Sequence, residues 1–538
     1  MDNLVIACHP WRSERRPGRH AFALLVAGMM ATAPLLADAA LPSEKIVNMS
    51  LAQLRLALDD GALTSAELVD AYMDKIETED RRPGGIRAVI ALNQEARLQA
   101  REWDRQRAQQ GGGMRNAPLA GIPFLAKDNF DAVGLPNTGG SIVLSTSMPN
   151  NNAHAVQKLL DQGAILLGKT NLSELAASYG WYGYSSVGGQ TINPFNPLRT
   201  ADGSSSGSAA AVAARFAPFA LGTDTTGSIR SPASVTGTVG MRPTLGLVSR
   251  SGIIPMSLTA DTAGAITRSV EDQAIVLDAI QGEDKQDAAT VGVSRPAAPL
   301  VAAVKGSTLS GTIIAVVDNF DGANEQVDEV KRRAVVAMQQ AGARIVHIRL
   351  PASYESLQPA LLGPIGAAEF RPQMNAYLSG LPADQPHDLR EFMARLGVLT
   401  GNGTHTINPG RYKGLKIDAE TLKTDSPEYI RLLSVVIPEL RRELTQLMTQ
   451  GRYDALFYPT VACTAPPLPG MTDPSFVCKA YAYAAAKISP SSGFPEISVN
   501  GGWTADGLPV GVSFLGLAGD DAKLLGLAAA YERLGSGR

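Results

Sequence analysis

Two serine-rich clusters carry the chemistry this chain could do. Gly203-Ser204-Ser205-Ser206-Gly207 fits GxSxG, the pattern that exposes a nucleophilic serine on a strand-to-helix turn. That geometry needs a strand before the serine, then an acid and a histidine downstream. Here Asn196-Pro197-Leu198-Arg199-Thr200-Ala201-Asp202 comes first, which reads as loop, and nothing marks His347, His387 or His405 as the base. The six histidines also include His9, His20 and His154. None stands in HxH or HExxH spacing, so zinc hydrolysis has little support. Glycine-rich backbone can cradle a phosphate, but GK[ST] is absent and no GxGxxG follows a strand. A flexible linker would explain the first cluster. It leaves the second, Gly222 to Ser231, unexplained.

Read as one block, Gly203 to Ser208 and Gly222-Thr223-Asp224-Thr225-Thr226-Gly227-Ser228-Ile229-Arg230 place two serines 24 residues apart. Upstream stands Lys127, after Gly121-Ile122-Pro123 and within Leu125-Ala126-Lys127-Asp128-Asn129. Flanking pieces are Gly168-Lys169-Thr170-Asn171-Leu172-Ser173-Glu174, Val239-Gly240-Met241-Arg242-Pro243-Thr244 and Gly246-Leu247-Val248-Ser249-Arg250. Ser492-Gly493-Phe494-Pro495 and Gly507-Leu508-Pro509-Val510-Gly511-Val512 follow near the end. This ordered set resembles the amidase-signature family of serine amidases. The resemblance runs from about residue 45 to the end and is thinnest between 280 and 450.

The resemblance implies an α/β fold: one large domain with a central mixed, mostly parallel twisted sheet covered by helices on both faces. It implies a triad in which Lys127 is the base, Ser204, on a cis peptide, relays the proton, and Ser228 attacks the carbonyl. Backbone N–H groups of Thr225, Thr226, Gly227 and Ser228 would face the oxyanion. Asp224 and Arg230 would brace the loop. No metal or organic cofactor is implied. Physical chemistry agrees, because a serine hydroxyl needs a base within reach, and a desolvated lysine can serve where no histidine does. Oxyanion donors are usually the largest electrostatic contribution to acyl transfer. One departure stands out: many members carry two glycines before the nucleophile, whereas this chain has Thr226-Gly227. Within the family, the stretches 188–208 and 246–255 look closest to bacterial peptide amidases, which deamidate C-terminal peptide amides. Aryl or aliphatic amides, carbamates and esters are alternative substrates. An amidotransferase subunit or a non-catalytic binding protein on the same fold are alternative roles.

The elements that must position these residues are partly legible. Thr64 and Glu67 form a capping box opening a helix with Leu68, Tyr72 and Ile76 on one face. A polar surface helix is expected over 93–109. Residues 120–126 read as a buried strand, interrupted by Pro123, that delivers Lys127. A helix at 153–161 and a strand at 164–167 continue the α/β alternation. Residues 181–208 read as loop and 209–214 as a short, tightly packed helix. Strand 312–317, helix 326–340 and strand 344–350 suggest a βαβ unit. Residues 350–450 read as helical. Strands are expected at 455–458, 496–499 and 510–515, and a last helix at 521–534.

Composition is that of a globular protein: of 538 residues, 45% are hydrophobic and 18% charged. A net charge of −3 offers no electrostatic footprint for nucleic acid. The substrate expected is instead a small-molecule or peptide amide. Arg12, Arg15, Arg16 and Arg19, the uncharged run Ala21 to Leu36, and Ala37-Asp38-Ala39 read as a cleaved export signal over residues 1–39. The run is short for a membrane span, so export to the periplasm or medium without stable insertion is expected. The amidase domain would then occupy 40–538, with a signature core at about 115–270 and a variable helical region at about 350–450. Cys8 falls in the leader. Cys463 and Cys478 could pair in an oxidising compartment or remain separate thiols.

Overall fold

A computed structural model describes residues 41–535, apart from 111–116, 402, 404 and 419–422. The leader expected over 1–39 lies outside the described residues. Leu41–Arg538 cluster as one compact unit. The strands in chain order are β1 (Val89–Leu92), β2 (Pro123–Lys127), β3 (Ile165–Thr170), β4 (Tyr184–Ser185), β5 (Gly189–Gln190), β6 (Ile192–Asn193), β7 (Asn196–Thr200) and β8 (Phe219–Asp224). They continue as β9 (Val239–Arg242), β10 (Thr262–Thr267), β11 (Ile313–Val317), β12 (Arg344–Ile348), β13 (Ala455–Pro459), β14 (Glu496–Trp503) and β15 (Pro509–Leu515). Eleven of them form one sheet in the order β1-β3-β2-β8-β10-β9-β14-β15-β13-β11-β12.

The sheet is mixed, as expected, but not mostly parallel. Six of its ten pairings are antiparallel. Parallel pairs sit toward the two ends, β3-β2-β8 and β13-β11-β12, where crossovers through helices are long enough to return the chain in the same direction. The centre is built from antiparallel neighbours, including the hairpin β14-β15. Every residue of β2, β3, β8, β9, β10, β13 and β15 is buried. A strand buried throughout has both faces covered, and helices do the covering. The edge strand β12 is half exposed.

Local chemistry explains the elements near the signature. Pro123 opens β2, the position where a missing N–H costs least. The helix Ser206–Ala213 is made of small residues because it lies hard against β3. A Cβ on Gly207 would stand 2.5 Å from the Asn171 backbone nitrogen. Thr64 and Glu67 form the expected reciprocal cap on the helix Ser65–Lys75. Residues 181–208 are more ordered than the loop expected. They hold two short hairpins, and β7 covers Asn196–Thr200. β7 lies outside the main sheet.

Residues 350–450 are helical as expected, including Gly363–Leu378 and Leu389–Gly401. Phe370, Met374, Phe392, Leu396 and Leu415 pack with Val143, Leu175 and Ile254. This apolar cluster seats the helical region against segments of the signature core. Cys463 and Cys478 form a disulfide, with Cα atoms 5.6 Å apart.

Candidate active site

β2 and β8 run parallel and adjacent, and their carboxyl ends meet where the signature loops emerge. Lys127 is the last residue of β2 and Thr223 the penultimate residue of β8. The Lys127 side chain is fully buried, and its Nζ lies 2.8 Å from Ser204 Oγ. Nζ also donates to Thr223 Oγ1 at 2.7 Å and sits 3.5 Å from the Thr223 carbonyl. A neutral amine has two N–H groups and one lone pair. With Thr223 accepting the N–H groups, the lone pair turns toward the Ser204 hydroxyl. Asn129 Nδ2 donates to the same Thr223 hydroxyl at 3.1 Å and fixes it. Burial drives the Lys127 ammonium down to about 7, against the pull of Asp224 and Asp261.

The Gly203–Ser204 peptide bond is cis. Ser204 and Ser228 lie on neighbouring loops, joined by the Ser205 N–H donating to the Ser228 carbonyl at 3.1 Å. Their side chains make no direct hydrogen bond here. Ser228 lines a cavity of about 480 Å³ with Thr225, Thr226, Gly203 and Ser231. Tyr179, Tyr182, Phe370, Tyr481 and Tyr483 supply aromatic walls, and Asp202, Arg411 and Lys487 supply charge. No histidine lines it, and Ser205, the central serine of the GxSxG pattern, is buried with its Oγ donating to the Thr223 carbonyl at 3.1 Å, so the pattern is not a histidine-based nucleophile elbow.

The four N–H groups expected to face an oxyanion divide. Gly227 N–H donates to Asp224 Oδ1 at 2.8 Å, so it points away from that task. Those of Thr225, Thr226 and Ser228 have no acceptor among the described residues. Thr226, the departure from two glycines, is not at positive φ, so its side chain strains nothing, and it faces the cavity. Gly227 has φ 122°, where glycine is required.

Asp224 and Arg230 brace the loop as expected. Arg230 Nε and Nη2 donate to the Asp224 carboxylate at 3.0 and 3.1 Å, and Nη1 donates to Glu496 at 2.6 Å. Burial opposes the Asp224 charge, yet the Arg230 and Arg242 guanidiniums hold its carboxyl well below the usual range. Thr225 Oγ1 donates to Asp261 at 2.6 Å, which fixes the loop from the other side.

Sequence reasoning missed Thr223, Asp261, Asp202, Tyr483 and Lys487. Thr223 stands inside the signature cluster and was overshadowed by its serines. Asp202 immediately precedes the cis bond. Burial pushes its carboxyl up to about 7, and Tyr483 donates to it at 3.1 Å. Tyr483 and Lys487 are more than 250 residues further on, with no local pattern to mark them. Among the described residues, no group of three or more His, Cys, Asp or Glu is placed to hold a metal ion.

Comparison with known proteins identifies the family. The family model described as Amidase matches residues 67–525. A peptide amidase from Stenotrophomonas maltophilia, of known structure, is 34% identical, with TM-score 0.79 over 90% of this chain and 96% of its own. Mandelamide hydrolase from Pseudomonas putida is 32% identical over 510 residues, covering 91% of this chain and 92% of its own. One of the subunits of the glutamyl-tRNA(Gln) amidotransferase from Thermoanaerobacter pseudethanolicus is 31% identical over 508 residues, covering 91% of this chain and 97% of its own. Lys127, Ser204, Asp224 and Ser228 all fall within the span that the family model matches, and the chain belongs to the amidase-signature family.

Proposed function

We propose that this protein hydrolyses carboxamides through an acyl-enzyme on Ser228, and that C-terminal peptide amides are its preferred substrates. The observation that carries the chemistry is the buried, easily neutralised Lys127 at 2.8 Å from Ser204 Oγ, one loop from Ser228. Ser228 Oγ bonds to the amide carbon while its proton passes through Ser204 to Lys127. The oxygen that becomes negative meets the unpaired N–H groups of Thr225, Thr226 and Ser228. Collapse breaks the C–N bond, the proton returns through Ser204, and ammonia or an amine leaves. Water then repeats the sequence on the ester. Catalytic hydrogen bonds often tighten only in the substrate complex, so the Ser204–Ser228 step is expected to close when substrate binds.

Two facts support peptide amides. The chain is 34% identical over nearly its whole body to a peptide amidase, and the cavity combines aromatic walls with both signs of charge. Mandelamide hydrolase is a comparable relative, so a small aryl amide is the competing substrate. The export signal expected over 1–39 belongs to this reading, because an amidotransferase subunit works beside cytoplasmic partners.

The test is ammonia or amine release across a panel of amidated dipeptides, benzamide, an anilide, a long-chain fatty amide and an ester. Ser228→Ala and Lys127→Ala run beside it. Turnover of the dipeptide amides, with a loss of at least about 100-fold in both variants, is expected. Faster turnover of another panel member with the same losses would keep the triad and overturn the peptide preference.

A further inference from the structure

The Thr226–Gly227 peptide is gripped at both ends by opposite charges. Its N–H donates to Asp224 Oδ1. Its carbonyl accepts from Lys487 Nζ. Lys487 is buried, and among the described residues no carboxylate lies within ion-pair distance of it. Its ammonium is spent on that one carbonyl and on the Tyr483 ring, whose centre is 5.7 Å away. Burying a cation without an anionic partner is expensive, so a lysine here asks for a reason.

Gly227 supplies it. At φ 122° a glycine tolerates more than one orientation of the peptide before it. If that peptide turned, its N–H would leave Asp224 and its carbonyl Lys487, and the torsions on either side, which aim the N–H groups of Thr226 and Ser228, would move with it. The loop's own backbone does not forbid this.

We propose that Lys487 is a positioning residue for the oxyanion site: with Asp224 it clamps the Thr226–Gly227 peptide, so that the N–H groups on either side, those of Thr226 and Ser228, face the cavity. The inference rests on the hydrolase reading above. The packing is built for it. The turn Ala485–Lys487 lies against the peptide, and a Cβ on Gly227 would stand 3.1 Å from the Ala486 Cβ. Arg230 Nη2 donates to the Ala486 carbonyl at 2.9 Å while the same guanidinium pairs with Asp224. One side chain thus braces both arms of the clamp. Burial, aided by the Arg230 charge, brings Lys487 down to about 8, so it is mostly cationic at neutral pH.

The test uses the full chain with Lys487→Met and Lys487→Arg. For each, kcat and KM are measured on the best amide of the panel, with the Ki of a peptide aldehyde that forms a tetrahedral adduct on Ser228. Lys487→Met is expected to lower kcat by about 10- to 100-fold, approaching the loss of one oxyanion donor. KM should stay within about threefold, and aldehyde affinity should fall by the same factor as kcat. Lys487→Arg keeps a donor for the Thr226 carbonyl and should recover part of both. It carries the test if the methionine variant does not fold, since its kcat and aldehyde affinity must still move together. Unchanged kcat in folded Lys487→Met, or a loss confined to KM, or a kcat loss without matching loss of aldehyde affinity in either variant, overturns the proposal. Wild-type inactivity on the whole panel is a separate result, seen before any Lys487 variant is made, and removes the hydrolase reading and this inference together.

Discussion

Lowering the pH toward about 5 should silence this enzyme through Lys127. An ordinary lysine, at 10.5, is neutral in about one molecule in 3,000 at pH 7. Burial brings Lys127 to about 7, so about half the molecules hold it neutral there, a gain of roughly a thousandfold in active base. The sign follows from the chemistry: only the neutral amine can take the Ser204 proton. Activity therefore rises with pH through about 7 and levels off above it. Two pH units below that point, kcat/KM should be down about 100-fold, because it reports ionisations of the free enzyme. The assay is kcat/KM on a neutral amide from pH 5 to 9, with circular dichroism confirming a folded chain throughout. Asp202 also titrates near 7 and lines the same cavity. Asp202→Asn should therefore leave the limb in place, while the residual activity of Lys127→Met should show none. A flat profile from 5 to 7, or a limb that disappears in Asp202→Asn and persists in Lys127→Met, would refute the assignment of the base.

Other consequences are structural. Arg230→Met leaves the buried carboxylates of Asp224 and Glu496 without their shared cation. It should destabilise the fold by about 3–5 kcal/mol, read from denaturant unfolding. Gly227→Ala puts a side chain at φ 122° and a Cβ 2.9 Å from Ser231 Oγ. It should cost about 1–3 kcal/mol of stability and slow labelling of Ser228 by a fluorophosphonate. Replacing both Cys463 and Cys478 with serine opens a loop of sequence separation 15. That should cost about 3 kcal/mol, visible as a lower Tm, with kcat little changed because neither cysteine lines the cavity.

The three residues proposed as the triad stand out in the sequence because they sit in short, continuous segments. Lys127 closes a strand of apolar residues, and Ser204 and Ser228 stand in glycine-rich loops, each a local signal. Terminal strands β13, β14 and β15 were legible for the same reason. The antiparallel centre of the sheet was not. β10 is Thr-Ala-Gly-Ala-Ile-Thr and β8 is Phe-Ala-Leu-Gly-Thr-Asp, runs of small residues that fit between close-packed helices and carry little strand propensity. With those strands unseen, no local signal opposed the mostly parallel sheet that the resemblance implies. β7 reads as loop because Asn196-Pro197 opens it, and its partner is a two-residue strand. Lys487 illustrates a deeper limit. Its meaning comes from a carbonyl 261 residues away in the chain, and nothing in its own neighbourhood distinguishes it from a surface lysine.

The central claim is that Ser228 is the nucleophile and Lys127 its base through Ser204. Mapping the site of fluorophosphonate modification by peptide mass spectrometry tests it most directly. The account predicts a single stoichiometric adduct on Ser228, none on Ser204 or Ser231, and labelling slowed by at least about 100-fold in Lys127→Met. An adduct on Ser204, or labelling of Ser228 at the wild-type rate without Lys127, would contradict it.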